Sequence, residues 1–325
     1  MSSHTLDRLG VTPFRSIWPL NSRWFQTITP NMLPDIDDSP DQWHHFKLPD
    51  GDTIVVAENR PEIEPKRIFV TVHGLTGDYR SNYNVRLCKK LKPLGVVLFR
   101  VNLRGAGPGF GHARKTYNAG QSQDLRDVLR AIGKLYPKLP ATVMGISMGA
   151  NIVLKMMGEA RLPRFVDSFV AVSPPFDLAS TSKKLQQRSP KVDRYFSKRL
   201  MKETSKLHRK FPDLGPLDFP ESCTVFDFDE LYTAPRHGFK SAQDYYDRSS
   251  SLHFIPAIKA KGLVLLAKDD PVVNYGDLPK FDKRRVDFVC TPRGGHVGFF
   301  NPLSKNGPFW MDHLISSWMK HRLKV

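Results

Sequence analysis

Three cysteines are all the chain has, and they stand far apart, at Cys88, Cys223 and Cys290. A scattered, odd-numbered set with no CxxC pair excludes a disulfide framework and a zinc ribbon. Long apolar runs are also missing: no stretch approaches the roughly 18 residues that a membrane span requires. The opening residues, MSSHTLDRLGVTPFRSIWPL, hold no apolar h-region and no small-residue cleavage site, so no signal peptide is read there. A soluble cytoplasmic protein is the expectation that follows. Internal repeats and low-complexity tracts are absent. So are histidine pairs of the HExxH kind, a P-loop and a GxGxxG fingerprint, which leaves no metal, nucleotide or other cofactor to expect. Acidic residues fall short as well, with 32 Asp+Glu against 49 Lys+Arg and a formal net charge of +17. That excess raises nucleic acid or an anionic membrane surface as a partner.

What is present is globular. Apolar residues make up 40% of 325 and charged residues 25%, enough to bury a core. Residues 1–45, rich in proline and aromatics without clear periodicity, read as an irregular arm packed on the main body. Two short strands are expected between His45 and Asn59, around the turn Pro49-Asp50-Gly51-Asp52. Short β-branched runs then alternate with helical stretches. The runs are Ile68–Val72, Val96–Val101, Ala141–Met144, Phe165–Val172, Leu263–Leu266 and Val286–Cys290. The helices are expected near 82–92, 121–135 and 148–160. Continuously apolar strands suit a parallel sheet covered on both faces, so the fold class is α/β with a mostly parallel, doubly wound sheet. The alternation breaks between about Asp177 and Ala257, where the chain is polar, basic and in part helical. The expected organisation is an arm (1–45), a core (46–177 and 257–325) and a largely helical cap insertion (178–256).

The central motif is Gly145-Ile146-Ser147-Met148-Gly149, directly after the run Ala141–Met144 and before the helical Ala150–Met157. A serine here sits on a sharp strand-to-helix turn that lifts its hydroxyl above the sheet edge and aims the helix N-terminus at a reacting carbonyl. The glycines are needed where the turn leaves no room for a Cβ. By itself the motif is also compatible with a serine that only caps a helix.

A serine is a poor nucleophile without a base. On sheets of this kind the partners follow in the order Ser, Asp, His. His296, in Arg293-Gly294-Gly295-His296-Val297-Gly298, lies in a glycine-flanked loop after the final strand, alone among the eleven histidines. His44 and His45 enter a strand, His208 sits among cations, and His313 and His321 lie on the terminal helix. The acid is expected after Leu263–Leu266, in Asp269-Asp270-Pro271-Val272-Val273. Asp270 is the choice and Asp269 the runner-up, with Asp269 read as the solvated member of a turn. The oxyanion donors are assigned to the backbone N–H groups of Leu75, in His73-Gly74-Leu75-Thr76-Gly77, and of Met148. A second glycine-rich loop, Arg104–Gly111, is expected to shape the pocket wall or to be purely structural.

With these residues in place the sequence resembles the YheT-like branch of the alpha/beta hydrolases, the AB hydrolase 4 family. The resemblance runs through His73–Gly77, Asn102-Leu103-Arg104-Gly105, Tyr117-Asn118-Ala119-Gly120 with Asp124, and Gly145–Gly149 with Asn151. It continues through Val172–Leu178, Thr233-Ala234-Pro235 with Gly238-Phe239, Asp244-Tyr245-Tyr246, Asp269-Asp270-Pro271 and Gly294–Phe299. Gln26-Thr27 with Pro30 resembles the family's N-terminal segment, so nearly the whole chain is covered. Trp24-Phe25 stands where the family often has a histidine, and the loop 105–111 is richer in glycine. The resemblance implies an alpha/beta hydrolase fold and either hydrolysis of a small-molecule carboxylic ester, acyl or lipid-like, or acyl transfer to an alcohol. It leaves the substrate open.

More than half of the charge excess lies in one place. Between Lys183 and Lys210 there are eleven Lys/Arg against Asp193 and Glu203, a net +9. Drawn as a helix from about Lys191 to Phe211, this stretch places Phe196, Leu200, Leu207 and Phe211 on one stripe. Lys198, Arg199, Lys202, Lys206, Arg209 and Lys210 fall opposite. The plain reading is a surface helix with a solvated face, and the sharper one is peripheral contact with anionic lipid or an acidic substrate. No helix-turn-helix, RRM or zinc module accompanies the charge and no aromatics interleave it, so nucleic acid is not expected.

Overall fold

A computed structural model describes residues 2–32, 39–276 and 278–324. Eight strands form one sheet: β1 Gln42–Lys47, β2 Thr53–Asn59, β3 Arg67–Val72, β4 Val96–Val101, β5 Ala141–Ile146, β6 Val166–Val172, β7 Lys261–Ala267 and β8 Val286–Thr291. Their order is β1-β2-β4-β3-β5-β6-β7-β8. β1 and β2 join antiparallel at one edge, and the other six run parallel. Alternate residues of the apolar runs feed opposite faces. Ile68, Val70 and Val72 enter one core with Val97, Phe99 and Val143, whereas Phe69, Leu98 and Met144 enter the other. The order of the strands reverses at β3, which lies between β4 and β5. In such sheets the crevice beyond the carboxyl ends at that reversal is where ligands bind.

The helices are α1 Ser2–Arg8, α2 Arg23–Met32, α3 Asn82–Leu91, α4 Ser122–Leu135 and α5 Met148–Glu159, and, after β8, α11 Trp310–Leu323. Between β6 and β7 come α6 Leu178–Arg188, α7 Pro190–Lys210, α8 Val225–Phe228, α9 Ala234–Arg236 and α10 Ala242–Ser249, with a π-turn at Asp229–Thr233. Among the described residues this stretch adds no strand. It is tied down by Asn151 on α5, whose side chain donates to the carbonyls of Ala119 and Ser249 and accepts from the Ser251 amide. No described helix is long and apolar enough to cross a membrane.

The N-terminal stretch is more ordered than the sequence suggests. It holds two helices, and β1 begins at Gln42, inside the expected arm. α2 carries Trp24, Phe25 and Ile28 at helical spacing, but that is not the side it buries. Among its described side chains Gln26 is buried, while Phe25 and Ile28 face outward. The Pro30 side chain and residues 33–38 of the expected arm lie outside the described residues. α7 ends one residue before Phe211, which leaves the helix at extended φ as its C-cap. Lys198, Arg199, Lys202, Lys206, Arg209 and Lys210 are all exposed. His208, expected among cations, is instead buried against the Gly215 carbonyl and the Tyr232 hydroxyl.

Candidate active site

Ser147 joins β5 to α5 and sits at φ +54°, ψ −122°, a strained conformation for a residue with a side chain. Its amide donates to the Val172 carbonyl on β6 at 2.8 Å, which locks the turn to the sheet. The flanking glycines make the turn possible. A Cβ at Gly145 would run into the backbone of Gly149 and Ala150, and one at Gly149 into the carbonyls of Val72 and His73. The second approach brings the start of α5 against the end of β3, next to Leu75.

His296 reaches Ser147 from the loop after β8. Its Nε2 lies 2.8 Å from Ser147 Oγ, and its Nδ1 lies 2.7 Å from Asp270 Oδ2. A carboxylate at Asp270 accepts from Nδ1–H, which leaves Nε2 to accept from the serine hydroxyl. Asp270 is itself oriented. Pro271 supplies no N–H, and the two amides after it, Val272 and Val273, donate to Asp270 Oδ1 at 2.7 and 3.0 Å. The stretch between β6 and β7 braces this loop from outside. Lys184 Nζ donates to the carbonyls of Asp270 and Val273, and Ser189 Oγ to that of Pro271.

Asp269 is not the solvated turn residue that the sequence suggests. It is half-buried and accepts from the Gly295 amide at 3.0 Å, and burial pushes its carboxyl up from the usual carboxylate range. The two adjacent aspartates divide the work, Asp270 facing the imidazole and Asp269 the backbone beside it.

The loop after β3 is held by two half-buried tyrosine hydroxyls. The Gly74 amide donates to Tyr83 Oη at 3.1 Å and the Thr76 amide to Tyr117 Oη at 2.9 Å. Between them the Leu75 amide donates to no acceptor among the described residues, and neither does the Met148 amide. Both are therefore available to an oxyanion. His73 fixes the start of the loop. Its Nδ1 donates to the Gly74 carbonyl at 2.7 Å and its Nε2 accepts from the Leu103 amide at 3.1 Å. That arrangement requires the neutral ring, and full burial lowers the histidine's pKa accordingly. From α7, Arg199 donates to the Thr76 carbonyl, and Glu203 faces Tyr117 Oη at 3.5 Å.

A cavity beside Ser147 is lined by Leu75, Met148 and Tyr117 from the sheet side and by residues of α6, α7, α8 and α10 from above. Its walls are mainly apolar, with Leu178, Leu185, Leu200 and Phe228 prominent. The glycine-rich loop Arg104–Gly111 does not line it. That loop borders a neighbouring groove between Thr76 and α7, so it does not shape this pocket's wall. Arg104 anchors the loop by ion pairs to Asp52 and Asp124, both at 2.6 Å, and to Asp50 at 2.9 Å.

The contribution of α2 is invisible to motif reasoning beyond the resemblance of Gln26-Thr27. Thr27 Oγ1 accepts from the His296 amide at 3.0 Å. Gln26 donates to the carbonyls of Leu20 and Phe300 and accepts from the Phe300 amide at 2.7 Å. A Cβ at Gly298 would strike the Gln26 carbonyl, so the histidine loop is shaped to seat on this helix. Thr27→Val removes the bond to the His296 amide, and with it the exposed bond from the hydroxyl to the Arg23 carbonyl, without changing side-chain shape. We expect kcat for an ester to fall about tenfold, because small misplacements of a base are costly. Melting should shift by only a few degrees, as the loss of about 1 kcal/mol implies. An unchanged kcat, measured beside the melting curve, would show that α2 does not position His296.

The comparisons with known proteins agree with this architecture. The model of the Hydrolase_4 family, described as serine aminopeptidase, S33, matches residues 63–287. YheT of Escherichia coli (strain K12), which carries an esterase name, is 28% identical over 311 residues, covering 92% of this chain and 91% of YheT. A monoacylglycerol lipase of Saccharomyces cerevisiae is 28% identical over 273 residues, and the match spans 79% of this chain and 60% of the lipase. Among solved structures, an esterase of Pyrococcus furiosus superposes with a TM-score of 0.59 at 16% identity, covering 86% of this chain and 90% of that one. With the family model matched over most of its length and its sheet built on the alpha/beta hydrolase plan, the chain belongs to the Hydrolase_4 family and is similar to YheT.

Proposed function

We propose that the protein is a serine hydrolase that cleaves carboxylic esters through an acyl-enzyme. The observation that carries this reading is the hydrogen-bonded chain from Asp270 through His296 to Ser147, at 2.7 and 2.8 Å. Ser147 Oγ attacks the acyl carbonyl as His296 Nε2 takes its proton, and Asp270 stabilises the imidazolium without taking a proton itself. The amides of Leu75 and Met148 hold the oxyanion. His296 then protonates the leaving alcohol, and water deprotonated by the same nitrogen releases the acid. In this reading residues 178–256 act as a cap over a core made of 46–177 and 257–325. The relatives named as an esterase and a lipase, together with the apolar cavity, favour an ester of acyl or lipid-like character over a peptide. Acyl transfer is the second reading. It uses the same acyl-enzyme with an alcohol in place of water.

A fluorophosphonate probe tests the nucleophile, since it labels an activated serine. Labelling of intact protein, with the adduct mapped to the peptide carrying Ser147, is the expected result. No labelling, or an adduct on another residue, would overturn the assignment. Adding ethanol to the ester assay separates the two readings. Free acid as the main product supports hydrolysis, and an ethyl ester supports transfer.

A further inference from the structure

The wall of the cavity formed by the helices between β6 and β7 is interrupted by one polar cluster. Asp229 opens the π-turn, a wider turn often found at functional sites, and lies buried with a side-chain hydrogen bond from Thr233. Tyr246 Oη donates to its Oδ2 at 2.8 Å and lies 3.3 Å from Ser182 Oγ. Burial, with Asp193 nearby, pushes the Asp229 carboxyl up to about 7. Thr181 adds a separate observation. It lines the same cavity and is 8% exposed, and its Oγ1 has no hydrogen-bond partner among the described residues. A buried hydroxyl left unpaired is unfavourable unless a ligand completes it.

We infer that Thr181, Ser182 and Asp229 form a subsite for a hydroxyl group on the acyl chain of the substrate. The inference rests on the ester-hydrolase reading above and narrows it. An aliphatic hydroxyl both donates and accepts, so it suits a wall that offers a carboxylate and a threonine hydroxyl, as neither a methylene nor a ketone does. The geometry also selects the arm of the ester. The leaving alcohol must lie against His296 Nε2 to be protonated. The cavity begins at Ser147 and at Leu75 and Met148, whose amides are assigned to the oxygen of the acyl carbonyl. The group that fills it is therefore the one bonded to the carbonyl carbon, and the substrate class is hydroxyacyl esters.

The test uses the full-length protein with methyl octanoate and methyl hydroxyoctanoates whose hydroxyl is moved carbon by carbon. Glycerol monooctanoate carries the hydroxyls on the other arm. Each kcat/KM is normalised to the ester's own hydroxide-catalysed rate. One hydroxy isomer should exceed methyl octanoate by about tenfold or more. That ratio should collapse towards one in Thr181→Val and in Asp229→Asn. Thr181→Val carries the test should Asp229→Asn fail to fold. Equal rates for all octanoates would overturn the subsite and leave the esterase reading standing. So would a preference that survives both substitutions. A preference for glycerol monooctanoate that is lost in Thr181→Val would move the hydroxyl to the alcohol arm and overturn the acyl assignment. Hydrolysis of none of these esters, with no probe labelling, would overturn the underlying reading itself.

Discussion

Ser147→Ala should lower kcat/KM for a p-nitrophenyl ester by about four orders of magnitude or more, as removal of a nucleophile that acts as one unit with its base does elsewhere. The fold should survive. The serine side chain makes one hydrogen bond in the structure, to His296, and the turn is held by other groups. These are the Ser147 amide on the Val172 carbonyl and the close approach of Gly149 to the end of β3, both independent of Oγ. Circular dichroism and the melting curve should therefore match the native protein, and residual turnover should come from the Leu75 and Met148 amides alone. Full activity in this variant would remove Ser147 from the chemistry.

The second large effect separates two adjacent carboxylates. Asp270→Asn should cost about 10³- to 10⁴-fold in kcat, and Asp269→Asn about tenfold or less. An asparagine at 270 can still accept from the Val272 and Val273 amides through its oxygen. Its NH2 group then faces His296 Nδ1 and forces the proton onto Nε2, where the ring can no longer take one from Ser147. At 269 an asparagine oxygen still accepts from the Gly295 amide, so the backbone beside His296 keeps its support. Comparable losses in the two variants, measured on one ester at saturating concentration, would contradict this division of work.

The centre of the site is legible in the sequence because its residues are constrained by backbone as well as by chemistry. Glycines flank Ser147 and surround His296 because the chain there has no room for side chains, and Pro271 marks the turn that aims Asp270. The parallel sheet is legible because strands covered on both faces are continuously apolar, as β3, β4 and β5 are. Which face of α2 packs inward is not legible, since Gln26 is buried while Phe25 and Ile28 face outward. Tyr83 and Tyr117 look like ordinary aromatics until their hydroxyls are seen on the amides either side of Leu75. Asp229 and Thr181 are hidden for a different reason. They lie in a polar, basic stretch whose composition resembles a surface, and one carboxylate among many solvated groups gives no sign of being buried.

The seating of the histidine loop on α2 sets an order of events in the life of the chain. Thr27 is synthesised some 270 residues before the backbone amide it receives, that of His296. The serine turn and the strands that carry it are complete long before either His296 or Asp270 has left the ribosome. A nascent or truncated chain that ends before residue 296 therefore carries Ser147 without the His296 ring that its hydroxyl bonds to. Esterase activity in this protein is a report that the beginning and the late part of the polypeptide have met.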